Sequence, residues 1–270
     1  MTLTILCILL FGGLLSGFLT GLLGVGGGVV MVPVIYQIFL ISGETQQTAF
    51  TTAVATSLFI MIFIGSYAAL IHRRNGMLER DLVIYTGCGA ILGAVFGSHL
   101  MIASDAHVVR LSFGIFLWTV ALSMYLPKAQ ERQRGAQTSR RYRMGLVLTG
   151  WFMGMVSGLF GIGGTTLLVP ALIIFFGVTI HHAIATATAL IVVSAIFGAS
   201  SYLLMGWSDA HTVAGSIGWI HPLVAVVMIP CAFFSSRLGI VVAMRISRAR
   251  LKNIMVLFQV LVGARFIFGG

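Results

Sequence analysis

Two stretches of this 270-residue chain carry residue types that could bind a ligand without any charged side chain. Gly21-Leu22-Leu23-Gly24-Val25-Gly26-Gly27-Gly28 interrupts an apolar run near the start, and Gly158-Leu159-Phe160-Gly161-Ile162-Gly163-Gly164-Thr165 interrupts another in the second half. Glycine costs about 1 kcal/mol relative to alanine inside a helix, so helix should break at both places. Apolar sequence resumes at once, and a proline follows at the same distance in each copy, Pro33 and Pro170. A helix that starts there exposes unpaired N–H groups and a partial positive charge. Glycine lets a ligand come close to that backbone. The chemistry this arrangement suits is the binding of a small anion.

The candidate residues are Gly26, Gly27 and Gly28 in the first break and Gly163, Gly164 and Thr165 in the second. Thr165 replaces a third glycine, so it adds a hydroxyl donor and a favourable helix cap. Nearby hydroxyls extend the set: Thr20, Ser157, Thr56, Ser57 and Thr186. Each has an alternative role, since serine and threonine also bond between membrane helices. Gly17/Gly21 and Gly154/Gly158 have the spacing of close helix packing as well.

The elements that hold these residues must be apolar helices. The chain is 59% hydrophobic and only 8% charged, against about 25% charged residues in soluble domains. That composition defines a multi-pass, all-α membrane protein, and a cell membrane of the bacterial inner-membrane type is its expected location. The first residues lack the basic start of a signal peptide, so the first helix is expected to be retained. A broken helix at membrane depth is tolerated only where protein buries it or where it lines a watery cavity. Matching interruptions in two halves point to a transporter binding site.

Two repeats emerge. The first covers residues 1–127, with a broken hairpin at 2–41 and spans at 53–71, 82–102 and 107–127. A basic segment, 128–143, joins it to the second repeat at 144–270. That repeat has a broken hairpin at 144–178 and spans at 183–205, 213–236 and 250–268. Beyond the breaks, Thr56 to Gly76 and Thr186 to Gly206 are equally spaced. Lysine and arginine set orientation. Placing the 73–80 loop, the basic linker and the 237–252 region inside leaves only Arg110 and Arg265 of the 16 basic residues outside. With each hairpin making no net crossing, three spans remain per half. The repeats are then inverted relative to one another.

Taken together, these residues resemble the TauE/SafE family of membrane transporters, the sulfite exporters. The resemblance rests on the two glycine stretches with Pro33 and Pro170, on Ala53-Val54-Ala55-Thr56-Ser57-Leu58, on His72-Arg73-Arg74-Asn75-Gly76, and on Gly93 to Gly97 before Ser98-His99. It covers nearly the whole chain. The pattern departs at Thr165, where glycine is usual, and at Ala187, where serine is usual. The resemblance implies export or uptake of small sulfur-containing anions such as sulfite or sulfonates.

The six acids, Glu44, Glu79, Asp81, Asp105, Glu131 and Asp209, all fall in expected loops or segment ends. Intramembrane carboxylates usually mark ion and proton pathways, so a cation transporter is disfavoured. No enzyme motif occurs, and no cofactor, metal site or nucleic-acid partner is indicated. Cys7, Cys88 and Cys231 suggest neither a disulfide framework nor a zinc site. His99, His182 and His221 could couple protons, or could simply be partnered near the interface. Arg237 could attract an anion, or could snorkel. The expected activity is alternating-access transport of a small anion bound at the midplane helix breaks, a sulfur-containing oxyanion or organosulfonate of the sulfite or sulfonate type. The alternatives are another small anion such as a carboxylate, or a membrane scaffold that transports nothing.

Overall fold

The computed structural model describes residues 3–23, 27–123, 139–163, 165–207, 209, 212–243 and 248–268. They form α1 (Leu3–Leu23), α2 (Gly28–Ile41), α3 (Gln46–Arg74), α4 (Arg80–Ala103), α5 (Ala106–Ser123), α6 (Arg140–Phe160), α7 (Thr165–Phe176), α8 (Ile180–Met205), α9 (Pro222–Ala243) and α10 (Arg248–Phe268). Among the described residues there is no strand, only an isolated bridge between Ile217 and Ile220. The fold is all-α and polytopic, and α3, α4, α6, α8 and α9 are each long and apolar enough to cross a bilayer.

Helix stops where glycine was expected to stop it. Gly161 ends α6 in the left-handed region, at φ +67°, with its N–H on the Ser157 carbonyl at 2.8 Å. Gly163 follows at φ +80°. Residues with a side chain rarely adopt either conformation. The second arms are short: α2 has 14 residues and α7 has 12, rises of about 21 and 18 Å against a hydrocarbon core of ~30 Å.

Three boundaries differ from the sequence expectation. Helix α3 begins at Gln46 rather than near residue 53, because Thr45 caps it by accepting the Thr48 N–H at 3.2 Å. The span expected at 213–236 begins only at Pro222. Gly215 and Gly218 turn the chain at positive φ before it, and proline suits a first helical position. The apolar residues Val213, Trp219 and Ile220 are buried in a packed connection instead. Arg140 to Arg143 belong to α6, capped by Ser139, rather than to the linker. The remainder of that linker, 128–138, lies outside the described residues, as do 124–127 of the span expected at 107–127.

Four helix pairs join the two halves of the bundle, α4 with α6, α1 with α9, α3 with α8, and α5 with α10, and α4 packs on α8 as extensively as α5 does on α10. Small residues set the closest approaches. Gly89, Gly93 and Gly97 of α4 meet the backbone of Val147, Trp151 and Met155, while Gly150, Gly154 and Gly158 of α6 meet Thr86, Ala90 and Ala94. The numbers rise together, so α4 and α6 are parallel, and Arg80 shares one end of the bundle with Arg140, Arg141 and Arg143. Gly13 and Gly17 of α1 meet Met228 and Ala232 of α9, which is also a parallel pair. The other two pairs are antiparallel. Gly65 lies by Ile191 and Gly198 by Leu58. Gly114 lies by Ile267, and the Trp118 indole donates to the Val260 carbonyl at 3.1 Å. A ring cluster of Phe50, Phe113, Phe160 and Phe266 ties α3, α5, α6 and α10 together.

Candidate functional site at the paired helix breaks

The two breaks meet. A side chain at Gly28, the first residue of α2, would strike the Gly161 carbonyl oxygen and the Met61 methyl, and would come within 2.7 Å of the Ile162 Cα. Only glycine allows this approach of one break to the other. Helix α3 crosses at the junction. The Ser57 hydroxyl lies 2.9 Å from both the Val54 and Gly161 carbonyl oxygens, so it can donate to the second break. Met61 lies against Gly28 and, together with Ile191 of α8, against Gly163. Gly27, Gly28, Gly161, Ile162 and Gly163 are all buried.

The start of α2 has the polarity expected of an anion cradle. Val30 and Met31 both donate to the Gly27 carbonyl, so the N–H groups of Gly28 and Val29 have no acceptor within their own helix. Thr20 stands beside Gly27, with its hydroxyl donated to the Ser16 carbonyl at 2.7 Å. Among the described residues no carboxylate lies inside a helix beyond its first turn. Glu44, Glu79, Asp105 and Asp209 are in connections, and Asp81 is in the first turn of α4. Among the described residues no group of side chains could hold a metal.

The structure therefore gathers Thr20, Gly27, Gly28, Ser57 and Gly163 at the junction and directs other candidates elsewhere. Ser157 donates to Ser194 of α8 at 3.0 Å. Thr56 accepts the backbone N–H of His221 at 3.0 Å, and the Thr186 hydroxyl is buried without a hydrogen-bond partner. Thr165 opens α7, and its side chain, like Gly26 and Gly164, lies outside the described residues. Gly154 and Gly158 serve helix packing against α4. Sequence reading missed Met61, Ile191, Ser194 and Tyr202. The fully buried Tyr202 hydroxyl donates to the Gly158 carbonyl at 2.7 Å, just before the second break. A tyrosine and a serine within an apolar span were a usable signal; Met61 and Ile191 carried none.

His99, His182, His221 and Arg237 are each engaged. His99 bonds its own helix at the Val95 carbonyl, 2.9 Å away. His182 Nδ1 lies 2.7 Å from the Met77 carbonyl oxygen and 3.5 Å from the Glu79 carboxylate. His221 caps α9, its Nδ1 accepting from Val224 at 3.4 Å. Burial holds its pKa below the ordinary 6.5, and a neutral ring is what that cap requires. Arg237 stacks on Phe233 and Tyr67. A cavity of about 320 Å³ opens between the starts of α4 and α6, where Glu79, Arg80, Asp81, Tyr85, Tyr142 and Arg143 line it.

Helices broken at matching places, joined inside an apolar bundle of this kind, define a multi-pass membrane transporter. The chain belongs to the sulfite exporter TauE/SafE family, whose profile matches residues 9–266. It is similar to the probable membrane transporter protein YunE of Bacillus subtilis, 27% identical over 97% of both chains. It is also similar to the probable membrane transporter protein MJ0441 of Methanocaldococcus jannaschii, 28% identical over 98% of this chain and 96% of the relative. A probable membrane transporter protein of Xylella fastidiosa is 35% identical over 64% of each chain. No solved structure matches.

Proposed function

We propose that this transporter moves a small anion, of the sulfite or sulfonate type, by alternating access between two inverted repeats, leaving the anion chemically unchanged. The observation that carries the reading is the contact of Gly28 with Gly161 and Ile162, which joins a helix start from one half to the break of the other. Two N–H groups outside helical bonding at the start of α2 and the absence of a nearby carboxylate among the described residues favour an anion over a cation. The antiparallel course of α3 against α8 and of α5 against α10 supports inversion, since these are the third and fifth helices of each half.

Purified protein reconstituted in liposomes tests the proposal, with radiolabelled sulfite as the solute and taurine, sulfate and acetate as competitors. Saturable sulfite flux, competed by sulfonate, is the expected outcome. Saturable flux of a metal cation that no anion competes would overturn it.

A further inference from the structure

Helices α4 and α6 run parallel, so their starts share one end of the bundle, and the short connection 75–79 brings the end of α3 there too. That end carries Arg73, Arg74, Arg80, Arg140, Arg141 and Arg143. Three of them, Arg140, Arg141 and Arg143, stand in the first turn of α6, where unpaired N–H groups and the helix dipole already disfavour positive charge. The parallel start of α4 sets a second positive pole beside the first. The first turn of α4 holds one acid, Asp81, and that of α6 holds none. The paired starts are therefore short of negative charge.

The cavity of about 320 Å³ opens between these two starts. Leu82 and Leu146, both buried, give it part of its lining. The rest carries charge of both signs, Arg80 and Arg143 with Glu79 and Asp81. Glu79 lies 3.5 Å from His182 Nδ1. Arg80, Asp81 and Arg143 form no ion pair among the described residues, with each other or elsewhere. The Arg143 guanidinium lies instead over the Tyr85 ring, 5.3 Å from its centroid. Stacking engages the flat face of the guanidinium and leaves its in-plane N–H donors available. Two guanidiniums and a carboxylate held apart around one hollow suit a ligand that carries both a phosphate and a primary ammonium. Beyond the cavity the surface turns apolar. Ile84, one turn past Arg80, and Met144 and Leu148, one and two turns past Arg140, are all exposed. In a membrane such a surface faces acyl chains.

We infer that this cavity holds the headgroup of an aminophospholipid, its phosphate on Arg80 and Arg143, its primary ammonium on Asp81, and its acyl chains along the exposed apolar surface of α4 and α6. Basic pockets between membrane helices are known headgroup sites. The arginines give affinity for any phospholipid, since guanidinium binds phosphate through charge-assisted hydrogen bonds. Asp81 gives the selectivity. A choline nitrogen carries no hydrogen to donate to it, and a glycerol headgroup carries no cation. The apolar surface beside the cavity favours a lipid over a soluble zwitterion. The bound lipid sets a phosphate beside the paired helix starts and bridges α4 and α6, one helix from each half. The inference concerns the surrounding bilayer and is independent of the transported anion.

The test uses the full chain, purified in detergent and depleted of lipid, with native mass spectrometry resolving single lipid adducts. Phosphatidylethanolamine, phosphatidylcholine and phosphatidylglycerol with identical acyl chains are titrated separately. Phosphatidylethanolamine should bind roughly tenfold more tightly than phosphatidylcholine, the equivalent of one hydrogen bond to a charged group. Asp81→Asn should remove that preference by weakening phosphatidylethanolamine alone. Arg143→Ala should weaken both lipids several-fold. Asp81 and Arg143 are exposed, so both variants should fold, and size-exclusion chromatography checks that they do. Soluble O-phosphoethanolamine at the lipid concentration should not compete. Equal affinity for phosphatidylethanolamine and phosphatidylcholine in the unaltered protein overturns the inference, as does a preference that survives Asp81→Asn. Phosphatidylglycerol bound as tightly as phosphatidylethanolamine overturns it too, because the cavity then reads phosphate alone. Competition by O-phosphoethanolamine assigns the cavity to a soluble solute and overturns the lipid reading.

Discussion

Alanine at Gly93 should weaken the protein, whereas alanine at Gly87 on the same helix should strengthen it. A methyl at Gly93 would meet the Trp151 carbonyl oxygen and lie 2.7 Å from the Met155 nitrogen, both backbone atoms of α6. No flexible side chain is there to turn aside. Non-bonded heavy atoms settle at about 3.5–4.0 Å, so α4 and α6 must separate locally by about 1.5 Å. The neighbouring approaches at Gly89, Gly97, Gly150 and Gly154 then loosen too. Overpacking of this kind costs about 1–3 kcal/mol. At Gly87 nothing lies within 4 Å of an added methyl, so alanine there keeps only its helix-propensity gain of about 1 kcal/mol. Both variants share that gain, and they should differ by the clash alone, about 1–3 kcal/mol. Thermal unfolding of the two purified proteins in one detergent measures the difference. A Gly93→Ala midpoint at or above that of Gly87→Ala would refute the claim that this glycine stripe sets the helix approach.

Three further outcomes follow from the contacts around the breaks and the α9 cap. Tyr202→Phe removes the bond to the Gly158 carbonyl and should cost about 0.6 kcal/mol, the average for interhelical hydrogen bonds in membranes, read as a lower unfolding midpoint. Gly28→Val places a side chain on the second break and should abolish sulfite uptake in liposomes, including in samples that remain folded and monodisperse on size-exclusion chromatography. His221 has a folded pKa below 6.5 because of burial, so its contribution is present above about pH 6.5 and is lost as pH falls towards the folded value. The wild-type midpoint should therefore drop on acidification more steeply than that of His221→Asn, as measured by a pH series of melts.

The fold was largely legible because its punctuation is chemical. Glycine runs disfavour helix, and α6 ends at Phe160 with Gly161 to Gly163 outside it, as the second run required, while α2 begins at Gly28 after a run whose Gly24 to Gly26 lie outside the described residues. Apolar windows failed where polarity and helix part company. The Thr- and Gln-rich start of α3 is helical, and the apolar stretch around Trp219 is not. At the site, the sequence could nominate glycines and hydroxyls near the breaks but not assign their directions. Thr56 and Ser57 are adjacent, yet one turns to His221 and the other to Gly161, a choice made by how α9 and α6 dock on α3. Met61 and Ile191 are ordinary apolar residues, and only the meeting of the two breaks gives them a role.

Each half lends its first helix to the fourth helix of the other, α1 to α9 and α6 to α4. The unit that recurs in the sequence is therefore not the unit that packs. Under the proposed inversion, a chain of only five helices would leave two small-residue faces bare, and a copy of itself running the opposite way would cover both. For the same reason, two polypeptides divided between α5 and α6 already hold complementary surfaces and should assemble when made together, while either alone lacks a partner of the opposite orientation.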